Sequence, residues 1–274
     1  MRLTLALAVL TALLLSATTG QARPLKAHVD PMTVAEDVTV QVRANVQVHY
    51  YSADELQRRR TEADPKNRSV FDDVVAGIKL DNGDEYYPDV LLCSGFAVQK
   101  RGHYMNIMTA QHCTQDEELY MWGVAVGKVS MVPSRVVFFN GDTAPVKHVY
   151  RAQGSDSAIL IVQPMHHHPV VELRSKLPRR GEKLFVFGMP GGRPWMYSSA
   201  VGMDGVETEA ANDGPLFAGL IPLECPSCYG GDSGAGVFDS RGRVVGFIDA
   251  GLGQPALAAM VPEYKFHTLM VNQF

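Results

Sequence analysis

Gly230-Gly231-Asp232-Ser233-Gly234 leads straight into a short apolar run, Gly236-Val237-Phe238. The same arrangement, polar residues at the end of a short strand-like run, recurs upstream. Tyr104-Met105-Asn106-Ile107-Met108 runs into Thr109-Ala110-Gln111-His112-Cys113, and Ser155-Asp156 opens Ser157-Ala158-Ile159-Leu160-Ile161-Val162. Further runs of this kind lie at 74–80, 95–98, 136–139, 184–188 and 244–248. Turn signals separate them, such as Asp81-Asn82-Gly83, Asn140-Gly141-Asp142 and Ser240-Arg241-Gly242. Long amphipathic helices are missing, and one short helix is expected at 263–271. Many short strands with no helical crossovers predict an all-β sandwich or barrel rather than βαβ units.

Residues 23–70 read differently. Val38-Thr39-Val40-Gln41-Val42-Arg43 and Val46-Gln47-Val48-His49-Tyr50 alternate apolar and polar, as half-buried strands do. Residues 54–69 are charged, include Pro65, and read as a short helix followed by an exposed loop. The stretch is taken as an N-terminal extension, with a removable pro-segment as the alternative. Asn67-Arg68-Ser69 is a glycosylation sequon if the chain is eukaryotic.

Ahead of it, Arg2, an apolar run over 3–15 and the small residues Thr18-Thr19-Gly20-Gln21-Ala22 make a secretory signal over 1–22. It is short for a membrane span, and no other run reaches about 18 apolar residues. A secreted or periplasmic chain is expected, cleaved near Ala22 and free of the membrane afterwards. The net charge of −4 over 274 residues gives no nucleic-acid footprint. A hydrophobic content of 46% suits a packed core.

Export implies an oxidising compartment for the four cysteines. Of the three possible pairings, the setting favours Cys93 with Cys113 and Cys225 with Cys228. The first would tie down the segment carrying His112, and a loop of that length contributes about 3 kcal/mol. Cys225-Pro226-Ser227-Cys228 has two other readings, a redox motif and half of a zinc site. No thioredoxin-like βαβ pattern surrounds it, and no second such pair completes it. His166-His167-His168 is read as a solvent-facing loop rather than a ligand set. No metal and no other cofactor is expected.

Serine between glycines, histidine and aspartate, in the order His112, Asp156, Ser233, are the parts of a nucleophilic hydrolase. A serine hydroxyl needs a neighbouring base to act at neutral pH, and His112 is the candidate. Asp156 would accept its Nδ1 proton and hold the ring in one tautomer. Gly230 and Gly231 allow a tight turn that aims the amides of Gly231 and Ser233 at one spot, an oxyanion hole.

Thr109-Ala110-Gln111-His112-Cys113, Asp156-Ser157-Ala158-Ile159-Leu160 and Gly231-Asp232-Ser233-Gly234 resemble the three triad blocks of the chymotrypsin-like (trypsin-like) serine proteases. Cys93-Ser94-Gly95-Phe96 is similar to the family strand whose cysteine bridges to the one after the catalytic histidine. Gly188-Met189-Pro190-Gly191-Gly192 and Gly242-Arg243-Val244-Val245-Gly246-Phe247 are similar to the bacterial HtrA-type and glutamyl-endopeptidase branch. The resemblance covers roughly residues 74–265.

It implies two six-stranded antiparallel Greek-key barrels, over 71–160 and 161–274, with a short C-terminal helix. It implies a monomeric serine endopeptidase acting on protein or peptide substrates. It places Ser227 near the base of the specificity pocket, and Asp249-Ala250-Gly251 along the substrate backbone. His267 could read an acidic side chain, as a histidine does in glutamyl endopeptidases; an exposed helix histidine is the plainer reading. Ala235 replaces a usual glycine. No PDZ module is expected after Pro262, and activation by a new N-terminus is not expected.

Two other functions compete. An α/β-hydrolase esterase would use Ser233, Asp249 and His267, but Ala235 breaks its nucleophile elbow. A protease-like fold kept as a binding module would not need its intact triad.

Overall fold

The structure, a computed structural model, describes residues 29–62, 72, 84–121, 124–152, 155–174, 176–203, 207–210, 216–250 and 256–259. Every element below belongs to the unit that begins at Pro31. Among the described residues it holds two mixed-length antiparallel sheets and two short helices, α1 (Pro31–Val38) and α2 (Ala53–Glu62). Among the described residues no helix is long and apolar enough to cross a membrane.

The first sheet contains β1 (Thr39–Tyr50), β2 (Glu85–Arg101), β3 (Tyr104–Ala110), β4 (Glu117–Met121), β5 (Val124–Phe138), β6 (Thr143–Arg151) and β7 (Ser157–Val162). Their order is β1-β2-β3-β7-β6-β5-β4, and β1 pairs back onto β5. Six strands therefore close into a barrel, with β4 added on the flank of β5. Closure removes the open edges that an isolated sheet would present. All six residues of β7 are buried between β3 and β6, which is why its sequence after Ser157 is continuously apolar rather than alternating.

The second sheet contains β8 (Lys183–Gly188), β9 (Met196–Gly202), β10 (Glu207–Ala210), β11 (Leu216–Glu224), β12 (Gly236–Phe238), β13 (Val244–Ala250) and β14 (Ala256–Ala259). Its order is β10-β11-β14-β13-β12-β8-β9. Among the described residues β11 meets β9 through two residue pairs, Leu223 with Gly202 and Glu224 with Val201. This barrel is accordingly a half-barrel rather than a second fully closed one. The two sheets share a core in which Phe96, Met108 and Leu160 of the first join Phe187, Phe238 and Phe247 of the second. A smaller core inside the second holds Val186, Leu223, Val237 and Ile248 with Cys225 and Cys228.

Three sequence expectations change. Thr39–Tyr50 lies in the stretch read as an extension, yet it is the strand that closes the first barrel. It pairs over nine residues with β2 and eleven with β5. A boundary at residue 70 would therefore cut through the barrel; the alternating pattern revealed a strand but not its partners. α1 was not expected, and it touches both β2 and β12. It is pinned by Tyr197, whose hydroxyl bonds the Met32 carbonyl at 3.0 Å and the Glu36 carboxylate at 3.1 Å. His168 is buried and stacks on Phe138, with ring centroids 3.6 Å apart, while His166 and His167 are exposed. The short helix read at the start of 54–69 is α2. The strand at 74–80, the sequon at Asn67 and the helix at 263–271 lie outside the described residues.

Candidate active site

His112 sits on a single 3-10 turn, Gln111–Thr114, at the end of β3. Asp156 stands immediately before β7, and β3 and β7 are paired, with Ala110 opposite Ser157. That register sets the two residues side by side. The backbone N–H of His112 donates to Asp156 Oδ1 at 2.8 Å, and its ring Nδ1 lies 2.5 Å from Asp156 Oδ2. Asp156 is 3% exposed. The bond at Nδ1 selects the tautomer in which Nε2 is the basic nitrogen.

Burial works against a charged His112, but the hydrogen bond and charge of Asp156, with Glu117 adding, raise its pKa above the ordinary 6.5. Burial would raise Asp156, but hydrogen bonds from the His112 ring and from Asp249 hold its carboxyl below the usual range. Glu117, at the start of β4, is raised by burial and by the Asp156 charge, against the lowering pull of His112.

Ser233 arrives from the second sheet, in the turn before β12. Ser94, fully buried on β2, clamps that turn against the first barrel. Its N–H donates to the Ser233 carbonyl at 2.9 Å, and its hydroxyl donates to the Gly231 carbonyl at 2.9 Å. The Thr109 hydroxyl in turn donates to the Ser94 carbonyl at 2.7 Å. Disulfide Cys93–Cys113 joins the residue before Ser94 to the residue after His112. Cys113 Sγ lies 4.0 Å from the Ser233 carbonyl oxygen. From the other side, the Gly234 N–H donates to the Ile248 carbonyl at 2.7 Å and the Ile248 N–H to the Ala235 carbonyl at 2.9 Å.

Two glycines of the turn have positive φ, Gly231 at +99° and Gly234 at +81°. A Cβ at Gly231 would also strike the Met189 carbonyl, and one at Gly234 the Ser94 carbonyl. The Gly230 carbonyl accepts from Gly191 N–H at 2.7 Å, so the Gly231 N–H, trans to it across the peptide, faces the opposite way. Among the described residues neither the Gly231 nor the Ser233 N–H donates to a protein acceptor. Ala235 is fully buried in the core of the second sheet, where its methyl packs.

Asp232 is fully buried, and among the described residues its Oδ1 has no hydrogen bond of ordinary geometry. Its Oδ2 accepts the Tyr229 N–H at 3.2 Å. Burial pushes its carboxyl up to about 7, against the partial offset of the Tyr229 and Met189 amides.

Cys225 and Cys228 are joined, which removes both the free-dithiol and the half-zinc readings for this oxidised state. Cys93, His112 and Cys113 lie together, but the two sulfurs are bonded and supply no thiolate. Ser227 is exposed between the second pair, and its carbonyl accepts the Ser198 hydroxyl at 3.2 Å. Ala250 pairs with Leu257 of β14. On the other flank of β13 the ladder ends at the Gly234–Ile248 contact. Gly251 and His267 lie outside the described residues.

In the protease reading from sequence, Asp249 contributes only its backbone. Its side chain is 6% exposed and is turned to the acid, with oxygens of Asp249 and Asp156 and a His112 nitrogen all within 4.8 Å. Sequence reasoning also missed Ser94 and Glu117. Ser94 carries a faint signal, a small polar residue beside a bridging cysteine; Glu117 carries none.

The family model of the trypsin-like peptidase domain matches residues 93–247. The chain belongs to that family. The matched stretch contains His112, Asp156 and Ser233, and this trypsin-like protease has the chymotrypsin-like fold of serine proteases. The Rv3671c protease from M. tuberculosis is similar in structure. Its inactive form gives a TM-score of 0.52 at 16% identity, over 88% of this chain and 91% of that one. Its active form gives 0.53 at 14%, over 88% and 82%. The HtrA-type protease AlgW with a decapeptide gives 0.55 at 15%, over 90% and 68%. At these identities the likeness speaks for fold. No curated protein matches the sequence.

Proposed function

We propose that this trypsin-like protease is a secreted or periplasmic endopeptidase working through His112, Asp156 and Ser233. The observation that carries the reading is the pair of hydrogen bonds between His112 and Asp156, made beside a serine turn clamped to the same segment by Ser94 and Cys93–Cys113.

In this reading Ser233 Oγ attacks the scissile carbonyl carbon while His112 Nε2 takes the hydroxyl proton. The Gly231 and Ser233 amides receive the oxyanion, a contribution of about 2.7–4 kcal/mol per donor. Collapse breaks the C–N bond; the amine leaves with the proton from His112, and an acyl-enzyme remains. Water, deprotonated by His112, attacks the ester and regenerates Ser233.

The substrate backbone pairs along Asp249, Ala250 and Gly251, beyond the end of the β12 ladder. By the family resemblance Ser227 stands near the pocket base, where the sequence offers no clear acidic residue, so little preference for Lys or Arg is expected. The 1–22 segment and two disulfides support export. The enzyme is read as a monomer without a nucleic-acid partner.

A fluorophosphonate probe tests the triad. It should label Ser233 in the folded protein, and His112→Ala should abolish the labelling. Folded protein that binds peptides but takes no label would instead be a binding module.

A further inference from the structure

We infer that Asp249 is a positioning residue of the triad, a neutral carboxylic acid that donates its O–H to Asp156 and so holds Asp156 against His112. The inference rests on the triad reading above and adds a member from the second barrel.

The argument is one of proton count. Asp156 and Asp249 are both buried, and their oxygens lie within 4.8 Å of each other and of a His112 nitrogen. Two ionised carboxylates at that range, out of water, repel strongly, so the pair keeps one proton. Asp156 has the better claim to the charge, because each of its oxygens already faces an N–H of His112. The proton therefore resides on Asp249, and the hydrogen bond between the two side chains runs from Asp249 to Asp156. Among the described residues, the titratable groups facing this pair are His112 and Glu117.

The backbone explains how a residue of β13 reaches the acid. The pairing of β13 with β14 skips between Ile248 and Ala250, so Asp249 sits in a bulge. A bulge re-aims the side chain it contains. Its neighbour Ile248 is bonded in both directions to the serine turn, through Gly234 and Ala235. One short segment thus touches the turn of the nucleophile with its backbone and the acid with its side chain. Asp156 comes from the first barrel and Ser233 from the second, and Asp249 links the two.

The test titrates the His112 ring by NMR in the parent, Asp249→Asn and Asp249→Ala, with the rate of Ser233 labelling measured beside it. A neutral donor draws charge from Asp156, so Asp249→Ala should raise the His112 midpoint. The Asn amide N–H can replace the acid O–H, so Asp249→Asn should leave the midpoint near that of the parent. Labelling should fall between about ten- and a hundredfold in Asp249→Ala, the scale of misplaced catalytic groups, and recover in Asp249→Asn. A midpoint that falls in Asp249→Ala would mean a charged Asp249, and an unchanged midpoint would mean no contact; either overturns the proposal. If Asp249→Ala does not fold, a shifted midpoint or lost labelling in Asp249→Asn does so as well. Absence of labelling in the parent would sink the triad reading and leave the ring titration standing as the judge of Asp249.

Discussion

The Ser94 N–H donates to the carbonyl of Ser233 across the junction of the two barrels, at 2.9 Å. The Ser94 hydroxyl adds a second bond, to Gly231. Ser94→Ala keeps the first and removes the second, leaving the Gly231 carbonyl without that donor. The expected result is a loss of about 1–3 kcal/mol in stability. Turnover should fall more than substrate binding, because the Gly231 peptide shapes the oxyanion hole. Denaturant unfolding together with kcat and KM on one peptide checks both.

Asp156→Asn should leave the fold intact and lower kcat by roughly 10⁴, the size of this effect in the chymotrypsin-fold example from which the triad roles are taken. The amide can still accept from the His112 backbone, but it cannot hold the ring in the working tautomer. Circular dichroism and kcat on the purified variant decide it; a loss below tenfold contradicts the assigned role.

The pH profile follows from the raised His112. The ring acts as a base only when neutral, so activity should climb with pH through a midpoint above the ordinary 6.5. A midpoint at or below 6.5 in kcat/KM would show that Asp156 does not support the ring as placed.

Asp232 makes stability depend on pH in the opposite sense to a salt-bridged carboxylate. Its folded value of about 7 lies above the ordinary 3.8, so between those values the folded protein holds a proton that the unfolded chain has released. Its contribution is full below about 3.8 and is lost as pH rises through about 7. Asp232→Asn removes that dependence. The difference in Tm between variant and parent should therefore move in favour of the variant from pH 5 to pH 8. A constant difference across the range would mean that Asp232 is ionised throughout.

The strands were legible where burial imposes a pattern, as in β7, whose five apolar residues after Ser157 announce a central position. The candidate site was legible because His112, Asp156 and Ser233 each lie beside a strand end; pairing of β3 with β7 brings the first two together, and Ser94 holds the Ser233 turn against the first barrel. What sequence could not supply was partnership. The alternation in Thr39–Tyr50 shows a strand, but not that both its flanks would be taken by β2 and β5. Asp249 was read for its backbone, because the bulge that turns its carboxyl inward has no local signature. His168 differs from its two neighbours in being buried and stacked on Phe138, thirty residues away in sequence.

The place of β1 bears on how the chain tolerates being cut. With hydrogen-bonded neighbours on both sides, it is held along its length independently of the covalent link to β2. A nick between α2 and β2 would thus free no peptide; it would produce a two-chain enzyme, and the separated pieces should reassociate by strand complementation.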